Sequence, residues 1–137
     1  GSSVNVYEVV FDSAAGAHLY AITGSYIQMN SNYSIVGGSV YHMQCLDRSG
    51  IFCAALTVTL TGTPAFTIFV VADNGSIIQA HGSMTFSGSA SAGTSRYYVG
   101  GCAEIYTGTA GVNTTYFPGG TAGTGTNPGA SPYGLYF

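Results

Sequence analysis

Only Arg48 and Arg96 carry a permanent positive charge in this 137-residue chain, and there is no lysine. Charged residues amount to 5%, against about 25% in an ordinary globular domain. The surface is therefore covered by Ser, Thr, Gly, Asn and Tyr. The chain also reads as strand almost throughout, and strand proteins normally guard their sheet edges with Lys, inward-pointing charge, Pro or bulges. Here those guards are nearly missing. Either the sheet closes on itself, or a neighbouring subunit occupies its edges.

One domain fits the length, and 46% hydrophobic residues exclude the disordered class. The longest apolar runs, such as 68–72, fall far short of the roughly 20 residues that span a bilayer, so membrane insertion is not expected. A net charge of −3 with two cations leaves nothing to neutralise phosphates, which excludes a nucleic-acid partner of the counterion-release kind.

The strand pattern runs from end to end. Val4 to Phe11, His18 to Met29 and Tyr33 to Cys45 read as the first three strands, the last broken at Gly37-Gly38. Ile51 to Leu60 follows, with Thr57, Thr59 and Thr61 alternating with Val58 and Leu60, the mark of a half-buried strand with its threonines in water. Ala65 to Ala72 meets Asp73-Asn74-Gly75, which supplies the positive-φ residues of a tight hairpin, and Ser76 to Phe86 is its returning partner. Short strands over Arg96 to Val99, Ala103 to Thr107 and Gly111 to Phe117 complete the set. No window has a sustained helical period, and 21 glycines argue against helices. The fold class expected is all-β: a single antiparallel β-barrel or β-sandwich of about eight strands over residues 1–117. Residues 118–137 form a Gly/Thr/Pro-rich C-terminal arm tipped by Tyr133, Leu135, Tyr136 and Phe137, packing on the domain or on a neighbour.

Cysteine and sequon usage points outside the cell. Cys45 and Cys53 flank a turn-like stretch that would bring their thiols within disulfide reach. Cys102 is then unpaired, or takes an alternative partner such as Cys53 or another chain; the plainer reading has all three as small buried apolar residues. N-x-S/T acceptors occur at Asn32, Asn74 and Asn113.

Catalytic groups are few. Asp47 and Asp73 lie in turns, where short carboxylates bond local backbone. Glu8 and Glu104 fall inside strands; pointing inward they would form a proton-sharing pair, pointing outward they supply solubilising charge. His18, His42 and His81 lack metal-ligand spacing, so neither metal nor cofactor is expected.

The run Asn74-Gly75-Ser76-Ile77-Ile78-Gln79-Ala80-His81-Gly82, with Tyr98-Val99-Gly100-Gly101 and Gly108-Thr109-Ala110-Gly111, resembles the C-terminal half of the dirigent and allene-oxide-cyclase-like β-barrel family over residues 74–117. The resemblance implies a secreted, oligomeric barrel holding a small hydrophobic ligand, with Glu8, Asp12, Arg96 and Glu104 as its pocket. Cys102 and Ala103 stand where that family has Thr-Gly.

Three functions follow as expectations. The first is a secreted, non-enzymatic structural protein, a subunit of an extracellular filament, surface layer or adhesive assembly. Its partners would be copies of itself, joined through Val4 and Val6 of the first strand or the aromatic arm. The second is the dirigent-like ligand-binding barrel, and the third a carbohydrate-binding module built on a planar row of exposed tyrosines. For the first, low charge is a physical advantage, because packed subunits need not desolvate unpaired ions.

Overall fold

A computed structural model describes residues 1–82, 84–108, 114–125 and 134–137. The first coil carries β1 (Ser3–Val6), β2 (Val10–Phe11) and β3 (Ala17–Ala21), and the second β4 (Tyr26–Met29), β5 (Tyr33–Ile35) and β6 (Ser39–Cys45). The third carries β7 (Gly50–Ala54), β8 (Thr57–Leu60) and β9 (Phe66–Ala72), and the fourth β10 (Ile77–His81), β11 (Thr85–Ser87) and β12 (Ser95–Val99). Then come β13 (Glu104–Tyr106) and β14 (Leu135–Tyr136). Sheet A runs β1-β4-β7-β10-β13-β14, sheet B β2-β5-β8-β11 and sheet C β3-β6-β9-β12. Every strand pair is parallel. The chain is a three-sided β-solenoid.

The expected all-β composition holds, with no helix among the described residues, but the antiparallel barrel or sandwich does not form. The closed barrel implied by the family resemblance is absent for the same reason. Most long runs read as one strand are two short ones meeting at a corner: Val4–Phe11 divides into β1 and β2, and Ile51–Leu60 into β7 and β8, while Ala65–Ala72 remains one strand, β9. Single left-handed residues make the bend, Glu8 at φ 48° and Ala55 at φ 55°, so no cluster of turn residues announces it. Residue-by-residue burial of β8 does follow the expected alternation, with Thr57 and Thr59 exposed and Val58 and Leu60 buried.

The hairpin at Asp73-Asn74-Gly75 is corrected likewise. Asn74 and Gly75 are left-handed, at φ 52° and 68°, and Ser76 N–H bonds Asp73 O at 3.3 Å, as a type I′ turn requires. Yet both edges of β9 are already taken by β6 and β12. The chain therefore passes into sheet A instead of folding back. The same corner recurs at Thr23-Gly24, Asp47-Arg48 and Gly101-Cys102, all with positive φ. The corners stack through Gly24 N–H to Asp47 O, Arg48 N–H to Asn74 O and Gly75 N–H to Gly101 O, at 2.8–3.0 Å.

Inside, like residues stand in columns. Val4, Ile27, Ile51, Ile78, Ile105 and Tyr136 are aligned in register along sheet A, and Leu19, Met43, Val70 and Tyr97 along sheet C. Ile51, Ile78, Ile105, Met43 and Val70 are fully buried. Side-chain bonds between adjacent coils join residues 23 to 28 apart, which measures the repeat.

A solenoid explains the low charge. Stacking gives each internal strand two partners, so unpaired edges exist only at the two ends of the column, and the long middle needs no gatekeeper.

Candidate interaction surfaces

The two ends differ. At the C-terminal end the last members of two inward columns, Tyr97 of β12 and Tyr136 of β14, are each 1% exposed and stack with centroids 3.8 Å apart. Phe117 is fully buried beside them, 6.3 Å from Tyr136 and 5.8 Å from Phe86. Arg96 Nη1 donates to the Phe117 carbonyl at 2.6 Å and Tyr116 Oη donates to the Ala80 carbonyl at 2.6 Å, tying this segment to the fourth coil. Thr121 and Thr124 bridge to Ser95 and Tyr98, extending sheet C. Aromatic rings thus close the interior.

At the N-terminal end β1, β2 and β3 are the edge strands of all three sheets. Val4, although in the inward isoleucine column, lies in the edge strand of sheet A and is 52% exposed, with no described coil stacked beyond it. Val6, Val9 and Phe11 are only partly buried against the core. Exposed Tyr7, Val10 and Tyr20 belong to the same coil. Among the described residues this end offers unpaired strand edges over a half-exposed apolar layer.

The outer face of sheet B forms a groove of about 370 Å³ across the first three coils, lined by Glu8, Val10, Asn32, Ser34, Thr57 and Thr59 among others. Asn32 Oδ1 accepts from Thr57 N–H at 2.8 Å, and the Thr57 and Thr85 hydroxyls are 3.0 Å apart. A second cleft, about 410 Å³, lies between Arg96 and the 114–120 segment. It is built where residues 86–92 of the fourth coil meet the segment that closes this end.

Four residues expected to share a pocket are dispersed. Glu8 lies at the corner of the first coil, outside the strand expected to hold it, and Glu104 lies on sheet A near the far end, so they form no pair. Asp12 follows β2, with Oδ1 accepting from Ser13 N–H at 2.7 Å, and Arg96 lines the C-terminal cleft.

All three cysteines are free, so the expected Cys45–Cys53 disulfide is not formed. Cys45 occupies the inward column of sheet C between Ala21 and Ala72, and Cys53 that of sheet A between Met29 and Ala80. The corner between them directs their strands into different sheets. Burial pushes their thiols up to about 11 and about 12, while Cys102 is exposed.

Asn32 stands in the sheet B groove and Asn74 is exposed at its corner, with Nδ2 donating to Asp47 Oδ1 at 3.1 Å. Asn113 and Tyr133 lie outside the described residues. Leu135 and Tyr136 pair in parallel with Glu104 and Ile105 of their own chain. Exposed Tyr7, Tyr20 and Tyr26 lie at a corner, on sheet C and on sheet A, so they make no planar row.

Sequence reasoning missed a buried network. Phe11 stacks on His18 at 5.2 Å, His18 Nδ1 lies 3.1 Å from His42 Nδ1, and Tyr33 Oη lies 2.9 Å from His42 Nε2. His42 is fully buried and desolvation, with His18 adding to it, holds its imidazole well below the usual value near 6.5. Recurrence at the coil repeat was the available signal: His18 and His42 are 24 residues apart. No group of three or more metal-ligating side chains forms among the described residues.

Neither family models, curated proteins nor solved structures give a match to this chain.

Proposed function

We propose that this chain is an extracellular structural subunit that pairs end to end with a second copy through its first coil, making a short rod used in a surface or adhesive assembly. The contrast between its two ends carries this reading. Among the described residues, three edge strands without an outer neighbour, the exposed Val4 and the partly buried Val6, Val9 and Phe11 lie at one end. Tyr97, Phe117 and Tyr136 seal the interior at the other.

Unpaired strand edges are satisfied best by another strand, and apolar residues at column ends by another apolar layer. A first coil supplies both. At the opposite end β14 and β11 are also edge strands, but Tyr97, Phe117 and Tyr136 fill the interior there, so only first coil against first coil about a twofold axis matches both strand edge to strand edge and apolar layer to apolar layer. Glu8 and Asp12 are the carboxylates of that coil, few enough to stay hydrated at its corners. A surface of Ser, Thr, Asn and Tyr, with an acceptor site for a glycan at Asn74, suits a load-bearing protein outside the cell.

Sedimentation velocity over a concentration series tests the proposal. A monomer–dimer equilibrium is expected, shifted to monomer by Val4→Lys, which buries a charge at the joint without touching the internal coils. A chain that stays monomeric at millimolar concentration, or that grows into open polymers, overturns it.

A further inference from the structure

We propose that the outer face of sheet B binds an uncharged, extended polysaccharide lying along the solenoid axis across the first three coils. This goes beyond the structural role above and does not depend on it.

The groove on this face is built by three successive coils, each contributing side chains at the same register. Val10, Ser34, Thr59 and Ser87 stand in line from strand to strand, and Thr57 is aligned with Thr85 in a parallel line. Neighbouring strands are about 4.8 Å apart, close to the length of one pyranose unit in an equatorially linked chain. A periodic ligand therefore meets similar chemistry at each step. The other two faces interrupt their polar lines with large groups: sheet A aligns Asn5, Gln28, Phe52, Gln79 and Tyr106, and sheet C aligns Tyr20, Gln44, the buried Val71 and Tyr98.

The groups in the groove match a polyol. Ser34, Thr57 and Thr59 hydroxyls donate and accept, as sugar hydroxyls do, and the Glu8 carboxylate accepts. Asn32 already uses its Oδ1 to hold Thr57 N–H, which leaves its amide N–H₂ as a donor. Val10, 63% exposed, offers methyl groups to the C–H face of a sugar ring. Charge selects against other ligands. Neither cation lines the groove, and its one carboxylate, Glu8, repels phosphate, sulfate and uronate.

Titration of the full chain, followed by amide chemical shifts and calorimetry, tests this with four named probes. These are the β-1,4-linked hexamers of glucose and of N-acetylglucosamine, the α-1,4-linked glucose hexamer, and a sulfated glycosaminoglycan hexamer. Saturable binding of at least one β-1,4 hexamer is expected, with shifts confined to residues 8–10, 32–34 and 57–59. Thr59→Val and Ser34→Ala, which remove single hydroxyls lining the groove, should each weaken it about fivefold, the scale of one neutral hydrogen bond, with circular dichroism unchanged. Failure of both β-1,4 hexamers to bind, stronger binding of the sulfated or α-linked probe, shifts on another face, or full affinity in both variants overturns the proposal. Dimerisation through the first coil is read separately by sedimentation, so either result can fail alone.

Discussion

Tyr136 lies flat on Tyr97, ring centroids 3.8 Å apart and planes 2° from parallel, although the two residues end different columns on different sheets. The pair spans the interior and joins the C-terminal strand to the fourth coil. Tyr136→Ala is therefore expected to lower unfolding free energy by about 3 kcal/mol, the range for a buried aromatic truncation. Chemical denaturation measures it, and hydrogen exchange should rise first at Glu104–Tyr106. A loss below about 0.5 kcal/mol, ordinary for a surface site, would show that the stack closes nothing.

Position along a column should set the effect of truncation. Ile51 and Val4 share one inward column, but Ile51 is fully buried and Val4 is 52% exposed. Ile51→Ala should cost about 3 kcal/mol and Val4→Ala less than about 1 kcal/mol in dilute solution. Equal losses in denaturant melts would contradict an uncovered first coil.

The buried His42 and its half-buried partner His18 make stability depend on acidity. Desolvation lowers both His18 and His42, His42 much further, so below their ordinary value near 6.5 the unfolded chain takes up protons that the folded core refuses. Stability from this site is complete above pH ~6.5 and declines as the pH falls. The groups facing the pair are Asp12, whose charge favours protonated His18, and the Tyr33 hydroxyl, which burial keeps neutral. Urea midpoints should drop from about pH 7 to about pH 5, with a shallower slope in His42→Phe. An unchanged slope would place the titrating group elsewhere.

Thiol accessibility separates the three cysteines. A water-soluble thiol reagent should modify Cys102 rapidly in the native protein and reach Cys45 and Cys53 only after unfolding, because both are buried and their thiolates disfavoured. Rapid native labelling at Cys45 or Cys53 would show that their coils open.

Amide exchange should follow coil number. In a dilute monomer β1, β2 and β3 have one neighbour per strand and an uncovered apolar side, whereas β6, β7, β9 and β10 are enclosed by coils on both sides. Faster exchange in the first coil is expected, with protection gained at high concentration.

Strand content was readable from Thr57-Val58-Thr59-Leu60, where alternation alone separates the wet side from the core. Turn chemistry at Asn74-Gly75 was readable too, because few residues other than Asn and Gly accept two successive left-handed conformations. The turn at Asp47-Arg48 was readable as a turn, but the left-handed conformations of Arg48 and Cys102 were not, because residue preference does not favour them; Arg48 N–H is held by Asn74 O of the next corner. The repeat itself left a faint trace, Ser25-x-Ile27, Ser49-x-Ile51, Ser76-x-Ile78 and Ala103-x-Ile105, about one coil apart. Variable corner lengths blurred it. The pocket expected from Glu8, Asp12, Arg96 and Glu104 dispersed because strands close in sequence belong to different faces.

By itself the amino-acid order determined that this chain is built of strands, that its surface is polar without charge, and where its tightest corner falls. These are local properties, decided within a few residues by sterics and burial. Strand direction, the stacking of coils, the freedom of Cys45 and Cys53 and the contrast between an open and a sealed end were decided only in three dimensions. Each depends on which strands become neighbours, and a parallel neighbour lies a whole coil away in the chain, beyond the reach of local preference.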